Sequence, residues 1–171
     1  VDVGAGSTRP DGPPVSLDEE LRRLSPALEE VRRATSLPVS VDTWRAPVAE
    51  VAIDSGADIV NDVHGLLRDS EMANVIASAG VPCILMHNQR GRNFKGVVAS
   101  ITEGFEESLT VADSAGIDSG LVVLDPGFGF GWTPQQNLEM VRRLPELWKF
   151  QLPLLLGVSR KSTIDTVLDR P

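Results

Sequence analysis

Six short, apolar, β-rich runs recur along the chain, at residues 1–3, 39–42, 59–63, 83–87, 121–125 and 154–158. Each is followed by polar residues and then by a helical pattern. The runs are continuous rather than alternating, the mark of parallel strands buried on both faces. Their starts lie about 31 residues apart, the length of a single βαβ unit. Between them, Leu17, Leu21, Leu24, Leu28 and Val31 mark one helical face, opened by a capping box of Ser16 with Glu19. Short helices are expected over 46–54 and 69–79, and a longer one through Ile101, Phe105, Leu109 and Ala112. Thr133, Pro134 and Gln136 form an N-cap, a first-turn proline and a second capping box. Ser162 with Asp165 starts a last helix, and Gly80 and Gly116 stand where helices stop. Unbroken alternation of this kind means an α/β fold with a parallel sheet.

Composition narrows the function classes. Sixteen Lys and Arg against 24 Asp and Glu give a net charge of −8. That excludes the basic face of a duplex-binding protein and disfavours an acidic membrane surface. The single cysteine, Cys83, cannot form an internal disulfide and suits a reducing compartment. No apolar run approaches the ~18 residues of a membrane span, and no signal peptide is visible. A soluble, cytoplasmic domain over residues 1–171 is expected, with no nucleic-acid or membrane partner. The chain opens on Val1 inside a strand and closes just after a helix begins, so it is expected to be incomplete at both ends.

The position of the polar residues separates an open doubly wound sheet from a (β/α)8 barrel. Nearly every run hands over at its C-terminal end to a reactive group: Ser7-Thr8-Arg9, Asp42, Asn61-Asp62, His87-Asn88, Asp125 and Arg160-Lys161. An open sheet gathers such groups at one switch point, whereas a barrel recruits them from most strands. The expectation is therefore a TIM barrel. A whole barrel takes about 250 residues, so this chain reads as a partial one without the first and last strands.

Around one barrel mouth, Asp42, Asn61, Asp125 and Lys161, with Arg9 at the rim, suit a flat heterocycle with mixed donors and acceptors. A carboxylate takes a ring N–H and a neighbouring amino group together, an amide both accepts and donates, and an ammonium donates to a ring carbonyl. Arg9, on a Gly/Ser/Thr loop, suits a phosphate. Singly, each has a plainer reading. Asp42 alone could be a cap, Asn61-Asp62 an Asx turn, and Met86 core. Gly4-Ala5-Gly6 lacks a third glycine, His64 and His87 lack ligand spacing, and Trp44, Trp132 and Trp148 are scattered. The run Asp125-Pro126-Gly127-Phe128-Gly129-Phe130-Gly131 is less ordinary: glycines let backbone approach a ligand, and phenylalanines cover an aromatic ring.

With Ser7-Thr8-Arg9-Pro10, Ser40-Val41-Asp42-Thr43, Asn61-Asp62, Leu85-Met86-His87, that glycine run and Ser159-Arg160-Lys161-Ser162 in this order, the chain resembles the dihydropteroate synthases. These are pterin-binding enzymes of folate biosynthesis and sulfonamide targets. The resemblance implies a TIM barrel, a homodimer, and transfer of a pterin from its pyrophosphate ester to p-aminobenzoate with the help of Mg²⁺. It also implies roles. Asp125 would hold the pterin amino group and ring N–H, Asn61 the next ring edge, Lys161 the carbonyl side, and Asp42 the face of the conjugated ring. Met86 and Phe130 would be apolar walls. Thr8, Arg9, Pro10, Arg160 and Ser162 would serve p-aminobenzoate and the pyrophosphate, with Asp42, Lys161 and Arg9 acting on the reaction itself. No metal ligand is implied within residues 1–171, because the Asn-containing first-strand motif of the family is absent, as is its last-strand Arg-x-His motif. The chain in isolation is therefore expected to be inactive. Gly6, Asp11 and Trp132 depart from the commoner family residues. A methyltetrahydrofolate-binding methyltransferase domain and a non-catalytic pterin-binding paralogue are the alternatives.

Overall fold

The computed structural model describes residues 1–6 and 15–169. Five strands, β1 (Asp2–Val3), β2 (Ser40–Asp42), β3 (Ile59–Asp62), β4 (Cys83–Met86) and β5 (Val122–Asp125), form one sheet. All pairings are parallel, in the order β1-β2-β3-β4-β5. Each strand neighbours the next in sequence, which is the winding of a barrel wall and not of a doubly wound sheet. Helices α1 (Leu17–Ala34), α2 (Ala46–Asp54), α3 (Met72–Ala79), α4 (Val97–Ala115), α5 (Pro134–Arg143) and α6 (Ser162–Leu168) complete the units.

The predicted caps fare differently. Thr133 and Gln136 form the full reciprocal box, Gln136 N–H to Thr133 Oγ1 at 3.3 Å and Thr133 N–H to Gln136 Oε1 at 2.8 Å. Ser16 accepts the Glu19 N–H at 3.2 Å, but the Glu19 carboxylate binds Arg22 and Arg23 instead of turning back, so that box is half made. Gly80 and Gly116 end α3 and α4 in the left-handed conformation, as expected. Pro26 lies inside α1 without ending it.

Several boundaries and one element are corrected: Val1, Val39, Val63 and His87 each fall one residue outside their strands. Helix α3 starts at Met72 rather than at residue 69, because Asp69 is a turn residue whose carboxylate accepts the N–H groups of Glu71 (3.1 Å) and Ala46 (2.8 Å). Leu121 belongs to a 3₁₀ turn, Ser119–Leu121, built on the Asp118 carboxylate. The run at 154–158 is not a strand. Only Leu154 bridges to Leu124, through Leu124 N–H to Pro153 O and Leu155 N–H to Leu124 O, both 2.9 Å. An apolar run becomes a strand only where a ladder continues, and among the described residues this one meets a neighbour on the β5 side alone. A second 3₁₀ segment, Leu144–Phe150, follows α5 where Pro145 interrupts the helix.

Register assigns every strand residue to a face. Asp2 pairs with Ser40, Asp42 with Asn61, Asn61 with Ile84, and Met86 with Asp125. With a side-chain period of two, Asp2, Ser40, Asp42, Ile59, Asn61, Ile84, Met86, Val123 and Asp125 share one face. Val3, Val41, Val60, Asp62, Cys83, Leu85, Val122 and Leu124 take the other. From β2 to β5 the second face is dry, its seven residues lying between 0 and 2% exposed against the helices, while Val3 at the edge is half-buried. The first is only partly covered, so burial on both faces holds for one face alone. Leu24 and Leu28 of α1, Met72 and Ile76 of α3 and Ile101 and Phe105 of α4 close the helix-side core.

Candidate functional site

Four of the expected residues, Asp42, Asn61, Met86 and Asp125, stand at the C-terminal ends of four adjacent strands on the inner face. Parity resolves the Asn61-Asp62 pair. Asn61 faces the mouth, while Asp62 faces the helices and caps its own turn, accepting the N–H groups of His64 and Leu66 at 2.8 Å each. The Asx turn is therefore made by Asp62, and Asn61 stays on the inner face beside Asp2.

Asp42 has a buried oxygen, Oδ1, with no hydrogen-bond partner among the described residues. Its pKa is pushed up to about 7, first by burial and then by the charges of Asp2, Asp62 and Glu20, with Lys161 pulling it back. Asp125 is 9% exposed and raised to about 6 by burial, opposed by the Gly127 N–H on Oδ1 (2.8 Å) and by Lys161. Burial lowers the Lys161 pKa, and Asp125 and Asp42 raise it against Arg90. One ammonium thus acts on two carboxylates at a distance, without a direct ion pair to either. An acceptor oxygen held dry without a donor costs free energy unless something supplies one. A ligand bearing adjacent N–H groups would do so.

Loops close the mouth beside β5. Lys161 Nζ lies 4.3 Å from the Phe130 ring centroid, and the Arg90 guanidinium 4.7 Å from it. The buried amide of Asn137 on α5 holds this loop: its Oδ1 accepts the Gly129 N–H at 2.9 Å and its Nδ2 donates to Thr163 Oγ1 at 2.8 Å. Phe130 and the start of α6 are thereby tied to one residue. Asn137 was missed in the sequence, where it reads as one more polar helix position. So were Asp2, whose carboxylate accepts from Asn61 Nδ2 at 3.4 Å and from Ser40 Oγ, and Glu20. Glu20 is 4% exposed and accepts from Thr43 Oγ1 (3.0 Å) and Arg45 (2.6 Å), fixing the turn after Asp42. A charge inside the apolar run 1–3 was the available signal for Asp2.

The remaining expectations divide. Thr8, Arg9 and Pro10 lie outside the described residues. Arg160 is exposed, with positive φ (54°), and is not drawn into the inner-face cluster. Ser162 is the first residue of α6, as expected, with Lys161 at the cap position. Cys83 is a buried packing residue, its thiol pushed up to about 12 by burial and Asp62. Among the described residues no three His, Cys, Asp or Glu side chains converge on one point. No helix among the described residues is long and apolar enough to cross a membrane.

This geometry has close counterparts. The chain is 42% identical over 171 residues to a dihydropteroate synthase of Clostridium beijerinckii and 40% identical to that of Bacillus subtilis, covered in full by both. It spans 64% and 60% of their lengths. The dihydropteroate synthase of Clostridium difficile, solved in the presence of pteroic acid, superposes with a TM-score of 0.94 at 45% identity, covering 98% of this chain and 64% of that one. The Xanthomonas albilineans enzyme, solved with 4-aminobenzoic acid, gives 0.94 at 37% identity over 99% of this chain and 62% of that one. The family model described as pterin binding enzyme matches residues 1–171 throughout, and the chain belongs to that family.

Proposed function

We propose that this chain carries most of the pterin site of a dihydropteroate synthase, which joins p-aminobenzoate to 6-hydroxymethyl-7,8-dihydropterin pyrophosphate and releases pyrophosphate. The observation that supports this most is the register. It sets Asp42, Asn61, Met86 and Asp125 on one face of the sheet, with Lys161 and Phe130 beside them. In this reading Asp125 accepts the pterin amino group and ring N–H, Asn61 takes the adjoining edge, and Lys161 donates to the carbonyl. Met86 and Phe130 wall the substrates. The amine nitrogen of p-aminobenzoate attacks the pterin methylene carbon as its C–O bond to pyrophosphate breaks, and the amine then gives up a proton. Asp42, ionised, stabilises the positive charge that develops on the conjugated ring; Arg9 takes the leaving anion's charge. Arg160, Ser162, Thr8 and Pro10 are assigned to the p-aminobenzoate and pyrophosphate side.

The test is pyrophosphate release by the intact protein with the pterin pyrophosphate, Mg²⁺ and p-aminobenzoate. Release that depends on p-aminobenzoate supports the synthase; pterin binding without it favours the methyltransferase or the inert paralogue. Asp42→Asn is expected to abolish turnover while pterin binding largely survives, and equal loss of both would remove the role given to Asp42. The same reading carries sulfonamide sensitivity, a homodimer and a cytoplasmic setting as proposals, read by inhibition, sedimentation and fractionation.

A further inference from the structure

The segment after β4 is gripped from several sides. His87 is 3% exposed. Its Nε2 donates to Gln89 Oε1 at 3.0 Å, because the Gln89 amide nitrogen itself donates to Arg92 O. Nδ1 then faces α4, where the ring lies directly on Gly104. A Cβ at Gly104 would overlap Nδ1 and stand 2.8 Å from Cε1. On the other side, a Cβ at Gly127 would overlap the His87 carbonyl oxygen. The Trp132 ring closes a further side, 5.6 Å between centroids. So the imidazole sits between Gly104 on α4 and Trp132 in the loop after β5, while Gly127 makes room for the His87 backbone.

What this spacer holds belongs to the pterin site. His87 N–H donates to Asp125 O at 2.8 Å, and Gln89 N–H to Phe130 O at 3.1 Å, carrying the β4–β5 ladder past the strand ends. Asn88 Nδ2 donates to Val63 O at 3.3 Å on the β3 side. Met86 is the residue before His87. We propose that His87 is a positioning residue for the pterin site: seated between Gly104 and Trp132, its ring sets the distance between α4 and the loop after β5 and thereby holds Met86, Asp125 and Phe130 in mutual register. The proposal rests on the pterin-binding reading above.

The experiment measures 6-hydroxymethylpterin affinity, the p-aminobenzoate KM and kcat, and the melting temperature of the intact protein. The proteins compared are wild type, His87→Ala, His87→Gln, Gly104→Ala and Gly104→Ala/His87→Ala. Glutamine carries its amide N–H near the place of the imidazole Nε2–H and is the conservative replacement. Expected are pterin affinity weakened about tenfold or more in His87→Ala and kept within about threefold in His87→Gln, since small misplacements of a binding group are costly. The p-aminobenzoate KM is expected to rise through Phe130 more than kcat falls. Gly104→Ala, which displaces the ring, is expected to lower both melting temperature and affinity. Adding His87→Ala to it should restore the melting temperature and not the affinity. Full affinity in His87→Ala, equal loss in His87→Gln, or affinity that follows melting temperature across the series would each overturn the positioning role. If His87→Ala does not fold, His87→Gln against Gly104→Ala and the double variant decides it by the same readouts. A wild-type protein that binds no pterin would remove the functional reading and this inference with it; a wild type that binds, with any of the overturning patterns, removes this inference alone.

Discussion

Asp62 and Asp42 stand at the ends of adjacent strands, both carboxylates largely out of water, yet they look to opposite sides of the sheet. Asp62, on the helix side, has both oxygens occupied by backbone N–H groups and holds Leu66 in a left-handed turn (φ 67°). Asp42, on the inner side, keeps a buried oxygen without a partner among the described residues. The neighbours repeat the contrast: Leu85 and Leu124 are at 0% exposure, while Val123 on the inner face is only half-buried. One side of the sheet is finished by its own helices. The other carries binding capacity that the fold does not use.

The largest effect that tests this contrast lies in adjacent residues of β5. Leu124→Ala is expected to lower the unfolding free energy by about 2–5 kcal/mol, and Val123→Ala by roughly 1 kcal/mol. Urea titration of the intact protein reads both, and equal losses would break the distinction between faces. Next, Asp62→Ala leaves two N–H groups without their acceptors and is expected to cost roughly 2–4 kcal/mol. Asp42→Asn, which replaces a largely buried carboxylate by a neutral amide, should cost little stability or none. The pH dependence sharpens the same point. A carboxyl whose folded pKa is raised binds its proton more tightly folded than unfolded, so its contribution falls as pH rises between the two values. Asp42 acts between about 4 and about 7, and Asp125 and Asp62, both raised to about 6, act in the same direction. Denaturation midpoints between pH 4 and pH 7 should therefore decline less in Asp42→Asn than in wild type; parallel curves would contradict it. Smallest is Thr133→Ala, expected to cost about 1 kcal/mol through the lost capping box.

Much of the fold was legible because its signals are local. The run at 83–87 and the Thr133–Gln136 box need only their own residues to declare a strand and a helix start. The half-made box at Ser16 shows the limit: Glu19 has two arginines within one helical turn, and charge pairs outcompete the return hydrogen bond. Likewise 154–158 has a strand's composition, but pairing is a property of neighbours. For the site, residue types at strand ends identified Asp42, Asn61, Met86 and Asp125, since inner-face residues of a barrel converge whatever their separation in sequence. Choosing Asn61 over Asp62 needed the register. Asn137 stayed hidden, and His87 was legible only as a polar group at a strand end, because their importance lies in which distant segments they join, and nothing in residues 137 or 87 names Gly129, Thr163, Gly104 or Phe130 as partners.

The single amide of Asn137 has a genetic corollary. It answers to Gly129 on one side and Thr163 on the other, so the loop bearing Phe130 and the helix opening at Ser162 share one support. Substitutions in the two segments should then be epistatic: a change tolerated in one is read against the background already fixed in the other, and the two walls of the pocket diversify together rather than independently.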